Sequence, residues 1–242
     1  MKPHISKPKK PEIKPISENI TSKEIISIII AIIIASFVSF LPIIPNDQPV
    51  KIITTLFLFT IIIFSNILTK RFFAKHYSIK IELKFFEFSR WAFPKRAYFQ
   101  KPFSMGLVFS FFIGLFSVGI VKPFAFLQFN AENITKRRRI RSVGQRRALR
   151  KEAYYINDTD LGYTAASGFY SLLILALIGS IISLIFNLQL GADLAKYSIF
   201  YGLWNLIPYG KLDGSRLFFG VFYGWIFITL LNIIALALTL LL

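Results

Sequence analysis

Residues 25–44 read IISIIIAIIIASFVSFLPII, an apolar run without a single charged side chain. About 20 such residues in an α-helix cross the ~30 Å hydrocarbon core of a bilayer. The run therefore predicts a first membrane span over 24–45. A cleaved signal peptide is disfavoured, because its apolar region is usually only ~7–15 residues long and no small-residue cleavage site follows here.

The composition of the whole chain agrees with a membrane environment. Of the 242 residues, 55% are hydrophobic and only 17% are charged, which is too apolar for a soluble globular domain. Cysteine is absent, and histidine occurs only at His4 and His76. Disulfides, Cys-based metal sites and thiol nucleophiles are thereby excluded, and little is left for chemistry that depends on histidine.

Further apolar runs predict an α-helical polytopic membrane protein with about five to six spans. Residues 1–23, rich in Pro and Lys, are expected to form a disordered basic tail, and 24–242 a single membrane domain. After the first span, that domain is expected to contain a second span over 51–69, a strand-like cytosolic segment over 78–91, a basic cytosolic loop over 130–163, a span over 164–188, a broken span over 197–213 and a last span over 217–242.

The strand-like segment is predicted from its period-2 alternation. Ile79, Ile81 and Leu83 alternate with charged residues, which is typical of a half-buried strand and predicts a small β element at the cytosolic face. The alternation breaks at Phe85 and Phe86, where a bulge is expected.

Residues 103–129 contain another apolar run, which either crosses the bilayer as a third span or re-enters it and leaves on the same face. Lys and Arg concentrate in the tail, after the second span and in the loop 130–163. The positive-inside rule places such clusters in the cytoplasm. Only the re-entrant path brings all three clusters to one side, so it is favoured. It predicts a multi-pass integral membrane protein with a cytoplasmic N-terminus and cytoplasmic basic loops.

The basic run at 136–151 reads KRRRIRSVGQRRALRK and raises the question of nucleic-acid binding. Aromatic side chains, on which bases would stack, are not interleaved with these cations. Juxtamembrane Lys and Arg attract anionic lipid headgroups at about 1 kcal/mol per residue. The expected partner is therefore the lipid bilayer with its anionic headgroups, and no nucleic acid is expected.

The most informative local motif lies in residues 201–220, YGLWNLIPYGKLDGSRLFFG. Asn205, Pro208, Asp213 and Gly214 have the spacing N-x-x-P-x-x-x-x-D-G. This resembles the second signature of the site-2 protease family of intramembrane zinc metalloproteases, including its D-G-(G/S)-(R/K) ending. The resemblance implies that Asp213 occupies the position of a zinc ligand, on a broken helix shaped by the Asn and the Pro. An ordinary capped turn is the alternative.

A second segment supports the same resemblance. Ser167, Gly168, Leu173 and Ala176 are similar to the family's preceding core helix, A-G-P-x-x-N-L-x-x-A, in which small residues let helices approach closely. Phe169 and Leu172 depart from the pattern at its Pro and its Asn. Together with GIVKPFAF at 119–126, the resemblance covers roughly 56–220 in layout and implies a site-2-protease-like core.

The family's first signature, H-E-x-x-H, is missing. In that signature two histidines one helical turn apart hold zinc, and the Glu acts as general base. Aligning the family's F-x-A-K-x-Y with residues 72–77 places Asn66, Ile67 and Lys70 on the three positions. Asn is a weak zinc ligand, Ile cannot take a proton, and an ammonium repels a dication. No residue is therefore expected to be catalytic.

Instead, Asn66, Lys70 and Asp213 are expected to meet in a polar pocket near the cytosolic face, with Lys70 paired to Asp213 in place of a metal. An unpaired carboxylate within a membrane is costly, which gives Asp213 a reason to keep a cationic neighbour. His76 is expected to be a solvated residue at the interface. No cofactor is expected, and zinc is expected only if the chain is an active enzyme.

These features favour a catalytically degenerate member of the family, a pseudoprotease that binds or regulates transmembrane clients. Two alternatives remain open. One is an active intramembrane metalloprotease with non-standard ligands that include Asp213. The other is an unrelated small transporter or membrane scaffold, in which Asn205, Pro208 and Asp213 form a broken-helix site or merely a turn.

Overall fold

The computed structural model describes residues 20–41, 49–77, 79–90, 98–133 and 156–241. Most of the expected tail and of the expected loop 130–163, including the basic run 136–151, lies outside the described residues.

Within those residues the chain forms seven α-helices and four short strands. The helices are α1 (Ser22–Phe40), α2 (Pro49–His76), α3 (Met105–Phe116), α4 (Asp158–Phe186), α5 (Gln189–Leu206), α6 (Asp213–Gly220) and α7 (Phe222–Leu241). The strands are β1 (Ile79–Phe85), β2 (Phe88–Arg90), β3 (Tyr98–Phe103) and β4 (Leu127–Asn133).

Four of these helices, α1, α2, α4 and α7, are long and apolar enough to cross a membrane. The protein is therefore a helical membrane protein. The other two apolar segments predicted from the sequence are shorter or more polar. α5 has 18 residues, about 27 Å, and carries Asp193 and Lys196, while the 12 residues of α3 reach only about 18 Å.

Several helix ends differ from the predicted spans because helices continue beyond their apolar parts. α2 runs on to His76. α4 begins at Asp158, where acidic side chains in the first turn interact favourably with the positive end of the helix dipole. α5 begins at Gln189 rather than at 197, since its first two turns, which contain Gln189, Asp193 and Lys196, are also helical. The predicted break after α5 is present at residues 207–212.

The strands form two small antiparallel pairs. β1 pairs with β4 from Ile79 opposite Asn133 to Phe85 opposite Leu127, and β2 pairs with β3. Ile79, Ile81 and Leu83 are buried, which confirms the predicted alternation. The bulge expected at Phe85 and Phe86 is wrong, because β1 ends there.

The segment 103–129 leaves the sheet and returns to it. After α3 the chain turns at Val118 and Gly119, both with positive φ (50° and 71°), and runs back without helix to β4. At its start, Gly106 N–H donates a hydrogen bond of 2.9 Å to the Phe86 carbonyl, and a Cβ there would lie 2.7 Å from the Phe126 carbonyl. Both ends of the excursion therefore lie beside β1.

α4 and α5 form a tightly packed antiparallel hairpin. The turn between them has Asn187 in the left-handed region, with φ of 50°. A Cβ on Gly179 would lie 2.7 Å from the Gly191 carbonyl oxygen, and one on Gly191 would lie 2.6 Å from the Gly179 carbonyl oxygen. These two glycines let the helix backbones touch, as small residues do in membrane helix pairs.

Gly191→Ala is expected to destabilise the protein by about 1–3 kcal/mol, because the new methyl group meets the backbone of Gly179 and Ser183. Thermal unfolding in detergent measures the effect. Gly224→Ala is the matched control, since its nearest contact is a Val221 methyl at 3.0 Å and alanine is the better helix former. Equal melting temperatures for the two variants would contradict this packing.

Candidate functional site

α2 presents two buried polar side chains, Asn66 and Lys70, one helical turn apart on the same face. Asn66 Nδ2 donates a hydrogen bond of 3.0 Å to the Gly168 carbonyl oxygen of α4. A Cβ on Gly168 would lie 2.8 Å from Asn66 Nδ2 and would collide with the Lys70 side chain. The missing side chain at Gly168 therefore makes room for both polar groups between α2 and α4.

The break between α5 and α6 is shaped by the residues of the N-x-x-P-x-x-x-x-D-G motif. Asn205 Nδ2 donates to the Tyr201 carbonyl (2.8 Å) and to the Phe124 carbonyl (3.1 Å), which ties the end of α5 to the return segment. Pro208 lies in the break and has no N–H to donate. A Cβ on Gly214 would collide with the carbonyl end of α5, so glycine lets α6 begin against it.

Asp213 is the first residue of α6 and forms a buried ion pair with Lys70. Lys70 Nζ donates to Asp213 Oδ2, and each residue is only 3% exposed. The ion pair expected from the sequence is thus present, beside Asn66. Asp213 Oδ1 has no hydrogen-bond partner among the described residues. A buried pair of this kind is held together because either charge alone would be strongly disfavoured.

Arg216 lies one turn after Asp213 and connects α6 to the sheet. Its Nη2 donates to the Phe129 carbonyl of β4, and its guanidinium carbon lies 4.2 Å from the centroid of the Phe129 ring. Burial lowers the pKa of the Arg216 guanidinium, and the carboxylates of Asp213 and Asp158 act against that shift. Arg216 therefore links α6 to β4 next to the Asp213 carboxylate.

A second ion pair, which the sequence analysis missed, lies on the neighbouring side of α2. Arg71 Nη2 donates to Glu24 Oε1 at 2.5 Å, and the same oxygen accepts the Leu83 backbone N–H at 3.0 Å. Glu24, at the start of α1, is only 3% exposed. An acid directly before the first apolar run and a second cation beside Lys70 were the available signals.

The side chains around Asp213 do not fit a zinc ion. Its Oδ2 is taken by the Lys70 ammonium, Asn66 bonds to Gly168, and Ile67 is an apolar core residue. Across the described residues there is no group of three His, Cys, Asp or Glu side chains that could hold a metal. His76 is exposed in the last turn of α2, with its ring against Tyr77.

One cleft lies beside the ion-pair site and another lies apart from it. A polar cleft of about 190 Å³ lies beside the start of α6 and is lined by Asp158, Lys211, Ser215 and Arg216 among others. A larger apolar cleft of about 600 Å³ is lined by residues of α4 and α7 and by Ile199 of α5. The larger cleft contains no charged side chain and takes no part in the ion-pair site.

The chain matches no protein-family model, and no curated protein or solved structure matches it.

Removing either partner of the buried pair is expected to destabilise the protein by about 3–5 kcal/mol, since the other charge is left buried alone. Lys70→Met and Asp213→Asn should each show this loss in thermal unfolding in detergent. The double variant should recover most of it, because no charge remains.

The partly exposed pair between Lys84 Nζ and Glu82 Oε2, at 3.4 Å, is the matched control. Lys84→Ala should cost no more than about 1 kcal/mol. If Lys70→Met or Asp213→Asn were as mild as this control, the pair would not hold α2 against α6.

Proposed function

We propose that this protein is a catalytically inert membrane protein with the core layout of the site-2 proteases, in which the Lys70 ammonium takes the place of a metal ion beside Asp213. The buried pair between these two residues is the observation that carries the proposal. A lysine in that position neutralises the carboxylate, but it cannot activate water as a zinc ion would.

Three elements support the layout. α2 brings Asn66 and Lys70, α4 brings Gly168, and the broken helix brings Asp213, all to one buried place. These are the positions at which the family resemblance implies two zinc ligands, a close-packed small residue and the third ligand. Ile67, in the position of the general base, has no group that can accept a proton.

The proposed role is binding or regulating transmembrane segments of other proteins without cleaving them. A helix broken inside the membrane domain and strands at one end of it offer a client both helical and extended contacts. An active metalloprotease is disfavoured by the pairing of Asp213 with Lys70. An unrelated transporter or scaffold is the remaining alternative, and the metal experiment below separates it from the proposal.

The end of the molecule that carries the sheet is proposed to face the cytoplasm. Described cations at this end include Lys23, Arg71, Lys75, Lys80, Lys84 and Lys211. Those at the opposite end are fewer and include Lys51, Lys122 and Lys196, of which Lys196 lies three residues after Asp193. The positive-inside rule favours that orientation. In it, 103–129 is re-entrant from the cytoplasmic side, and the chain between β4 and α4, with the basic run 136–151, is cytoplasmic.

The layout can be tested by restoring a metal site. Asn66→His together with Lys70→His should bind about one zinc per chain, because two His at i, i+4 and one carboxylate make a three-ligand site. Metal analysis of detergent-purified protein measures the ratio. The wild type should bind no zinc, and adding Asp213→Asn to the double variant should reduce its zinc content strongly.

Ser65→His with Thr69→His is the matched control, since it places the same spacing on a neighbouring face of α2. If both histidine pairs bound zinc equally, or neither did, the site-2-like arrangement would be wrong and the unrelated-scaffold alternative preferred. Stoichiometric zinc in the wild type, with chelator-sensitive cleavage of a synthetic transmembrane peptide, would instead establish the active enzyme.

The orientation can be tested by single-cysteine labelling, which needs no background removal because the chain has no cysteine. Lys75→Cys and Lys84→Cys should be protected from an impermeant maleimide added outside intact cells, while Lys51→Cys and Gln189→Cys should be labelled. All four side chains are at least partly exposed. Labelling with the opposite pattern would invert the proposed orientation.

A further inference from the structure

The polar cleft beside α6 carries charges that the ion-pair site does not use. It lies between the first turn of α4 and the chain from Gly210 to Phe219, and its volume is about 190 Å³. Lys211 lines it, is exposed, and has no ion pair with any described residue. Its ammonium is therefore not paired with a carboxylate of the part of the chain that the structure describes.

Two further groups in the cleft are suited to bind an anion. Ser215 lines it, is only 3% exposed, and its hydroxyl has no hydrogen-bond partner among the described residues. Arg216 also lines it, and its guanidinium is held in position by the Phe129 carbonyl and ring. The start of α6 has no side-chain N-cap, so the positive end of the helix adds to the same field.

The cleft also contains the opposite charge. Asp158, in the first turn of α4, lines it together with the two cations. A carboxylate repels a free phosphate dianion, but it favours a ligand that carries an amine beside its phosphate. The cleft thus has the charge pattern of a zwitterion rather than that of a simple anion.

The position of the cleft selects a lipid as the source of that ligand. α4 is a candidate membrane span whose polar first turn begins at Asp158, so the cleft lies at one end of that span. Phe219 lines the same cleft and is 77% exposed, which provides an apolar surface next to the polar groups. A headgroup in the cleft could keep its acyl chains along the lipid-facing side of the molecule.

We propose that this cleft binds the headgroup of an aminophospholipid, with Lys211, Arg216 and Ser215 around the phosphodiester and Asp158 beside the primary amine. The site follows from the membrane fold and its side chains, and it does not depend on the proposed loss of protease activity. It would anchor the break and α6 to the cytosolic leaflet, in the orientation proposed above.

Native mass spectrometry of the full chain in detergent micelles tests this site. The probes are palmitoyl-oleoyl phosphatidylethanolamine, the corresponding phosphatidylcholine and phosphatidylglycerol, and inorganic phosphate. The wild type should bind the ethanolamine lipid most tightly, because choline has no N–H to donate to Asp158 and glycerol has no positive charge. Inorganic phosphate should not compete at equal concentration.

Lys211→Ala should weaken ethanolamine-lipid binding about fivefold, the factor expected for one lysine contact at a membrane surface. Asp158→Asn should remove the preference for the ethanolamine lipid over the glycerol lipid. Lys75→Ala, an exposed cation at the same end of the molecule but outside the cleft, should change neither quantity. Unchanged melting temperatures without lipid would show that the variants are folded.

Equal binding of the three lipids by the wild type, or equal binding by Lys211→Ala and Lys75→Ala, would overturn the proposal. Competition by inorganic phosphate as strong as that by the lipid would overturn the lipid assignment and leave a site for a soluble anion.

Discussion

A lysine and an aspartate with almost no access to water hold the second helix against the start of the sixth. Neither charge would be stable if it were buried here without the other, so each requires its partner. For Asp213 to reach Lys70, α5 has to end and the chain has to turn within residues 207–212. The contact between Lys70 and Asp213 therefore depends on the helix break, on Pro208 within it and on the close packing at Gly214.

Arg71 follows Lys70 on α2, and its side chain contacts different elements. Successive residues of an α-helix are about 100° apart, so Lys70 faces α6 while Arg71 faces Glu24 of α1. Because Glu24 also accepts the Leu83 backbone N–H, this second pair reaches β1 as well. α2 is thereby connected through two adjacent side chains to the first helix, the sheet and the broken helix.

In the proposed function, the lysine at position 70 both prevents metal-dependent catalysis and stabilises the buried Asp213 carboxylate. An ammonium brings one positive charge to Asp213 and needs no further protein ligands, whereas a zinc ion needs at least three. Asn66 is consequently available to bond with Gly168, and Ile67 adds to the apolar core. Under that proposal, the side chains at the family's ligand positions on α2 serve to hold α2 against α4 and α6.

The sequence by itself determined the elements whose signal is local. The long apolar runs predicted about five to six spans, and four of the described helices are long and apolar enough to cross a membrane. The membrane class was predictable because length and hydropathy alone decide whether a helix can cross a bilayer. The alternation at Ile79, Ile81 and Leu83 predicted β1 correctly, because the faces of a strand differ in burial. Helix ends were less predictable, since α4 and α5 begin in polar residues whose helical state depends on the neighbouring helix.

For the candidate site, the sequence identified the residues and the tertiary structure decided the contacts. The motif spacing singled out Asp213, and the failed first signature singled out Asn66 and Lys70. Glu24 went unnoticed, because its partners Arg71 and Leu83 are distant in sequence and carry no motif. Lys70 and Asp213 are 143 residues apart. Whether side chains so far apart meet depends on how closely three helices pack. Glycines at the contacts permit that close packing, but no local sequence pattern encodes it.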